Sequence, residues 1–211
     1  MKKKSTWEEA VELAFSSAQK RLRAMDPKEV AKRSASQWGT GDRGEYLEVT
    51  FLNQRYRVIL PDLEVRDEMG EIPPMVRRVL ILHYLIGAQG RELTGRWIDF
   101  RSLPGGVVYY PVFRGRVISR LVRMFGERPG DLIPAAVPLG GREIAMADVA
   151  IEIPAFSRVP MVFALWEASD EFGPEGTVMY DDSLPAYLET EDAIIACEEI
   201  FGALKKHAQS V

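Results

Sequence analysis

The chain has 211 residues, of which 46% are hydrophobic and 27% charged, and a formal net charge of -4 at pH 7. That composition belongs to a globular protein with one well-buried core, and it excludes general nucleic-acid binding, which needs a basic footprint. A lone cysteine, Cys197, with only His83 and His207 besides, excludes an internal disulfide, a cysteine-ligated zinc or iron–sulfur site, and a His-rich metal site.

The start, Met1-Lys2-Lys3-Lys4, runs into Trp7-Glu8-Glu9 and not into an apolar stretch, so no secretory leader is expected. Trp7, Val11, Ala14, Phe15, Ala18 and Leu22 recur at helical spacing. Ser5 with Glu8, or Thr6 with Glu9, offers a capping box, and Lys20, Arg21 and Arg23 suit the negative end of the helix dipole. Asp26-Pro27 restarts a short helix, with Asp26 as cap. This helical arm is expected to pack on its own domain; a partner surface is the alternative.

Gly39-Thr40-Gly41-Asp42-Arg43-Gly44 matches the dinucleotide pattern G-x-G-x-x-G, but that motif needs a strand before it and a helix after it. Here the order is reversed, and a flexible loop is expected. Tyr46 to Leu52 and Arg55 to Leu60 alternate as strands around Asn53-Gln54, a two-residue hairpin loop. Leu63 to Arg66 is a third short strand. Pro73-Pro74 opens a core helix through Ile86, within which His83 reads as a hydrogen-bonded core histidine. The apolar stretch Val79 to Ala88 is too short for a bilayer, which takes ~20 residues.

The second half repeats this plan: Asp148 to Ile153, Val159 to Trp166 and Thr177 to Tyr180 read as strands, and Thr190 to Lys206 as a capped helix. Two runs of strand, strand, short strand and helix predict an α+β fold, a mainly antiparallel sheet covered by helices. Cys197 shares a face with Ile194, Ile200, Phe201 and Leu204, and is expected to be a small buried apolar residue.

Three features can carry chemistry. The first is Trp97 to Gly106, where the Pro104-Gly105-Gly106 turn leads into Tyr109-Tyr110 and then Arg114, Arg116, Arg120, Arg123 and Arg128. Free N–H groups at Gly105 and Gly106, with Arg114, Arg116 and Arg120 nearby, suit a phosphate or carboxylate. A solvated basic face that pairs with acids elsewhere is the plainer reading. The second is the acidic segment Asp148 to Asp192, opposed only by Arg158. Asp170-Glu171 and Asp181-Asp182 each follow a strand, and converging carboxylates suit a hard divalent cation and metal-assisted hydrolysis. Loop solvation competes with that reading, and helix capping explains Glu191-Asp192. The third is the aromatic set Trp97, Phe100, Tyr109, Tyr110, Phe113 and Trp166, suited to a planar ligand's pocket or to a core.

Trp97-x-x-Phe100-x-x-Leu103-Pro104-Gly105-Gly106, then Phe113, Phe125-Gly126 and Gly140-Gly141 with Asp148, form a recognisable series. Val159-Pro160, Leu165-Trp166, Glu171-Phe172, Asp181 and Tyr187-Leu188 before Glu191-Asp192 continue it. As a set these marks resemble an uncharacterised domain-of-unknown-function family of bacteria and archaea, mostly anaerobes. The resemblance implies no activity. Some similar proteins carry a cysteine-rich iron–sulfur segment, which implies redox or one-carbon metabolism; Cys197 alone cannot hold such a cluster.

The expectation is a single domain over 1–211, with a helical arm over 1–35 and an α+β body over 36–211. It is expected in the cytoplasm, in no contact with membrane. Its leading role is a non-catalytic binding or accessory module for an anionic or planar ligand or a partner protein, using Trp97, Gly105, Gly106, Tyr109, Arg114, Arg116 and Arg120. The alternative is a divalent-metal-dependent hydrolase or transferase using Asp170, Glu171, Asp181 and Asp182. A purely structural subunit is a third.

Overall fold

A computed structural model describes residues 5–208. Ser5 closes the capping box of helix α1 (Thr6–Arg23): its hydroxyl accepts from the Glu8 N–H at 3.2 Å, and its own N–H donates to the Glu8 carboxylate at 2.8 Å. Asp26 caps α2 (Pro27–Ser34), with Pro27 supplying the fixed φ of the first turn. Ala18, Leu22, Val30 and Ala31 bury the inner faces of these helices in the main core, and α1 lies along α3 (Met75–Gly87). The arm therefore packs on its own chain.

Gly39 to Gly44 is a hairpin and not a loop. Strand β1 (Gln37–Gly41) pairs with β2 (Gly44–Phe51), and Gly44, at φ 107°, makes the turn possible. The hairpin between β2 and β3 (Gln54–Ile59) turns at Leu52-Asn53, one residue earlier than its sequence predicts. Both turn residues have positive φ, 49° and 61°, as a two-residue hairpin of this hand requires. Leu52 tolerates that conformation because its side chain is buried and its N–H donates to the Ala155 carbonyl.

Strand β4 (Glu64–Asp67) completes a first meander, β2-β3-β4, and α3 follows it. The second meander runs β7 (Val149–Phe156), β8 (Val159–Trp166) and β9 (Glu175–Asp181), followed by α7 (Thr190–Ala208). The sheet order is β4-β3-β2-β7-β8-β9-β5, where β5 is Trp97–Asp99; β1 pairs with β2, and β6 (Arg142–Glu143) pairs with β7. Every pairing is antiparallel. The two meanders thus meet at β2 and β7, through one register pair, Phe51 with Phe156.

Helices cover one face of the sheet. Ile151, Ile153, Phe163 and Leu165 point into that core, while the alternate residues Ala150, Val162 and Ala164 point the other way, under Trp97, Ile144 and Met146. Between β5 and β6 the chain runs through α4 (Gly106–Phe113), a π-helical turn (Arg114–Ile118), α5 (Ser119–Phe125) and α6 (Leu132–Ala136). Pro111 brings no N–H to α4, and in the π-turn the Ser119 N–H reaches back five residues to Arg114.

Candidate functional site

The Pro104-Gly105-Gly106 corner is a tight entry into α4. Gly105 has φ 71°, and a Cβ on Gly106 would lie 2.0 Å from the Phe100 carbonyl oxygen, so both positions demand glycine. The Gly106 N–H donates to the Leu103 carbonyl at 2.8 Å, and the Pro104 carbonyl accepts from the Thr190 hydroxyl at 2.6 Å. Behind the corner Phe100 and Phe113 stack at 4.0 Å between centroids. Asp99 accepts from the N–H and hydroxyl of Ser102.

Two of the arginines after the corner face α7. Arg116 makes a bidentate pair with Glu198, at 2.9 and 2.7 Å, and Arg120 lies over the Phe201 ring. Arg114 is exposed, and Tyr109 is half-exposed beside Gly105. Trp97 packs on the opposite face of the sheet, under Ala150 and Val162. Sequence proximity therefore does not bring Trp97, the glycine corner and the arginines to one pocket.

The two acid pairs stand apart as well. Trp166 opposes Glu175 at one end of the β8–β9 hairpin and Met161 opposes Tyr180 at the other. Asp170 and Glu171 lie in the exposed loop at the first end; Asp181 and Asp182 lie at the second, ~20 Å away at the rise of an extended strand. Among the described residues no group of three or more His, Cys, Asp or Glu is placed to hold a metal ion.

Asp181 has another employment. It is 2% exposed and accepts from the backbone N–H groups of Thr94, Gly95 and Ser183. Burial pushes its carboxyl up, but these donors outweigh burial and hold it below the usual carboxylate range. Asp182 pairs with Arg91 and Arg96 and accepts from the Thr94 hydroxyl. The Tyr187 hydroxyl donates to the Arg91 carbonyl. Together these contacts clasp segment 88–96 to segment 181–188.

That clasp borders a cleft where several polar groups meet. Helices α3 and α7 run antiparallel, tied by Arg77 to Glu199 at 2.7 Å and by His83 Nδ1 to Asp192 Oδ1 at 2.8 Å. Asp192 is buried in the first turn of α7, where it also takes the Glu189 N–H at 3.4 Å. The hydrogen bond that His83 donates to Asp192 lifts its imidazole above the ordinary value, against burial and the nearby Arg21. Nε2 of His83 has no partner among the described residues. His83 is hydrogen-bonded, as its sequence predicts, but it reaches solvent.

Two clefts meet at His83. One, of about 350 Å³, is lined by Arg21 of α1, Arg33 of α2, His83, Gln89, Tyr187, Glu189 and Asp192. The other, of about 420 Å³, lies between α1, α3 and α7 and is largely apolar, with Trp7, Val11, Val76, Val79 and Ile195 in its walls. In the first cleft α3 comes so close to the 184–188 turn that a Cβ on Gly87 would sit 2.2 Å from the Tyr187 carbonyl oxygen. Gly90, at φ 75°, folds segment 88–96 back against Arg33. Arg21 and Arg33 have no carboxylate partner among the described residues. A smaller cleft of about 130 Å³ between Glu48, Arg55, Arg57 and Glu68 is closed by their own ion pairs.

Cys197 is fully buried beneath this region, with its sulfur 3.6 Å from the Tyr180 hydroxyl, and burial pushes its thiol up to about 12. It is a core residue.

No helix among the described residues is long and apolar enough to cross a membrane. Comparison with curated proteins and with solved structures yields no match. Residues 26–203 match one family across most of the chain, from the cap of α2 to the last turns of α7. With the signature corner, the twin meanders and the helix pair all inside that stretch, the chain belongs to the family described as a domain of unknown function, DUF3786.

Proposed function

We propose that this protein is a binding module for a small anionic ligand, and that the ligand sits in the cleft of Arg21, Arg33 and His83. One observation carries the reading: two arginines with no carboxylate partner among the described residues line one side of a cleft of about 350 Å³, beside a histidine whose Nε2 is free. Most arginines elsewhere in the body are spent on acids or rings, as Arg116 is on Glu198 and Arg120 on Phe201, and the exposed Arg114 lines neither cleft. Unpaired guanidinium groups at a concave site favour a carboxylate or phosphate, which they grip in bidentate fashion. The size falls in the range of small-molecule pockets.

Binding is favoured over catalysis by the lining, which includes no serine, threonine or cysteine beside the His83–Asp192 pair. The glycine corner and Arg116 then serve the site from outside, by seating α4 and α7 against each other.

Calorimetry with phosphate, acetate, hexanoate and citrate tests the reading on the intact chain. At least one anion binds, and Arg21→Ala with Arg33→Ala weakens it about tenfold or more, the worth of a charge-assisted hydrogen bond. Equal binding by the double variant overturns the assignment.

A further inference from the structure

We infer that the ligand is an amphipathic acid, with its anionic head between Arg21 and Arg33 and its apolar body in the groove under α1. This rests on the anion-cleft reading and adds the class of molecule. The two clefts share His83, Glu189 and Asp192 as lining, so they are adjoining parts of one concavity. Together they offer about 350 and 420 Å³, room for a molecule larger than a phosphate or acetate.

Charge sets the direction in which such a molecule lies. The cleft side carries Arg21 and Arg33. Glu189 and Asp192 line both sides; the groove adds Glu191, while Arg116 there is already paired with Glu198. A carboxylate is drawn to the first and repelled from the second. The groove walls come from three helix faces that leave apolar surface open: Trp7 is 63% exposed, and Val11, Val76 and Ile195 are half-buried. An apolar chain laid there removes that surface from water.

One helix supplies both halves of the site. Arg21 stands at the end of α1 beside the cleft, and Trp7 and Val11 stand at its start beside the groove. Since α1 precedes the matched stretch 26–203, the site is a composite of that stretch and a helix outside it.

Calorimetry with straight-chain carboxylates from acetate to decanoate, each below its micelle concentration, tests the inference. Affinity is expected to rise roughly fourfold per methylene until the groove is filled, and decylamine is expected to bind far more weakly than decanoate. Val11→Asp and Val76→Asp, on opposite walls, are expected to abolish the length dependence and leave acetate binding unchanged; two walls are used in case one variant folds poorly. Acetate and decanoate binding alike, or decylamine binding as well as decanoate, overturns the amphipathic class and leaves the anion cleft standing. No binding by any carboxylate or by phosphate overturns both.

Discussion

Two places in this molecule gather charge, and they differ in how far it is spent. At the clasp, Asp181 and Asp182 are well supplied: donors from Thr94, Gly95, Ser183, Arg91 and Arg96 point at one or other of them. At the cleft, Arg21 and Arg33 make no ion pair among the described residues, although Glu189 and Asp192 line the same walls. A charged group that is fully satisfied inside the fold holds the fold together. One left facing a concave surface is available to something else. The difference separates architecture from site better than charge density does, since the acid-rich segment was the denser signal.

The comparison breaks most visibly at Asp181. Asp181→Ala strands the buried Ser183 N–H and releases those of Thr94 and Gly95, so a loss of roughly 1–3 kcal/mol is expected, and chemical denaturation with the wild type as reference measures it. Acid does the same more gently. Because the folded Asp181 carboxyl is held below its unfolded value, its contribution is full above about pH 4 and disappears as pH falls through the lower, folded value. Midpoints of urea unfolding between pH 5 and 2 should therefore fall less steeply in Asp181→Asn than in the wild type.

His83 titrates in the opposite sense. Its folded pKa is raised, so the stability from its pairing with Asp192 is full below about pH 6.5 and is lost as pH rises through the folded value. His83→Gln is expected to cost about 1 kcal/mol at pH 6, where the imidazolium is paired, and less at pH 9. An equal cost at both pH values would contradict the ion pair. The smallest effect sharpens the comparison most: Arg21→Ala with Arg33→Ala should leave the melting temperature of the free protein nearly unchanged, within about 0.5 kcal/mol. A large loss would place these arginines with the clasp.

Much of the frame was legible because its signals are local. Ser5 and Glu8, Asp26 with Pro27, and the alternating strands on either side of Leu52 each act within a few residues. The repeat of strand, strand, short strand and helix also reappears, as two meanders joined back to back with α3 and α7 side by side. The turn at Leu52-Asn53 misled because a buried leucine accepted a conformation its type disfavours, held by Ala155 from the other meander. Gly39 to Gly44 misled because its glycines serve a hairpin, where Tyr46 packs so close that a Cβ on Gly39 would touch its ring.

The site was far less legible, and the reason is distance along the chain. His83 and Asp192 lie on separate helices, and no local spacing relates them. Arg21 read only as a complement to a helix dipole, and Arg33 gave no signal at all. Their place at the cleft depends on Gly87 and Gly90, which let segment 88–96 pack there, and that is a fact of packing. The arginines that did stand out, Arg114, Arg116 and Arg120, were conspicuous because they cluster in sequence; two of the three are spent on α7.

The single pair between β2 and β7 makes the sheet, in mechanical terms, two plates with a joint. Within each plate many ladder hydrogen bonds resist shear; across the joint there is Phe51 with Phe156, the bond from Leu52 to Ala155, and the rings of Phe51, Phe156 and Tyr84 stacked over the gap. Load between the plates is therefore borne by side chains and by the α3–α7 pair above them. If the cleft beside His83 takes a ligand, α3 carries the effect to that joint through Tyr84, and amides flanking Leu52 and Phe156 are expected to exchange more slowly when the cleft fills.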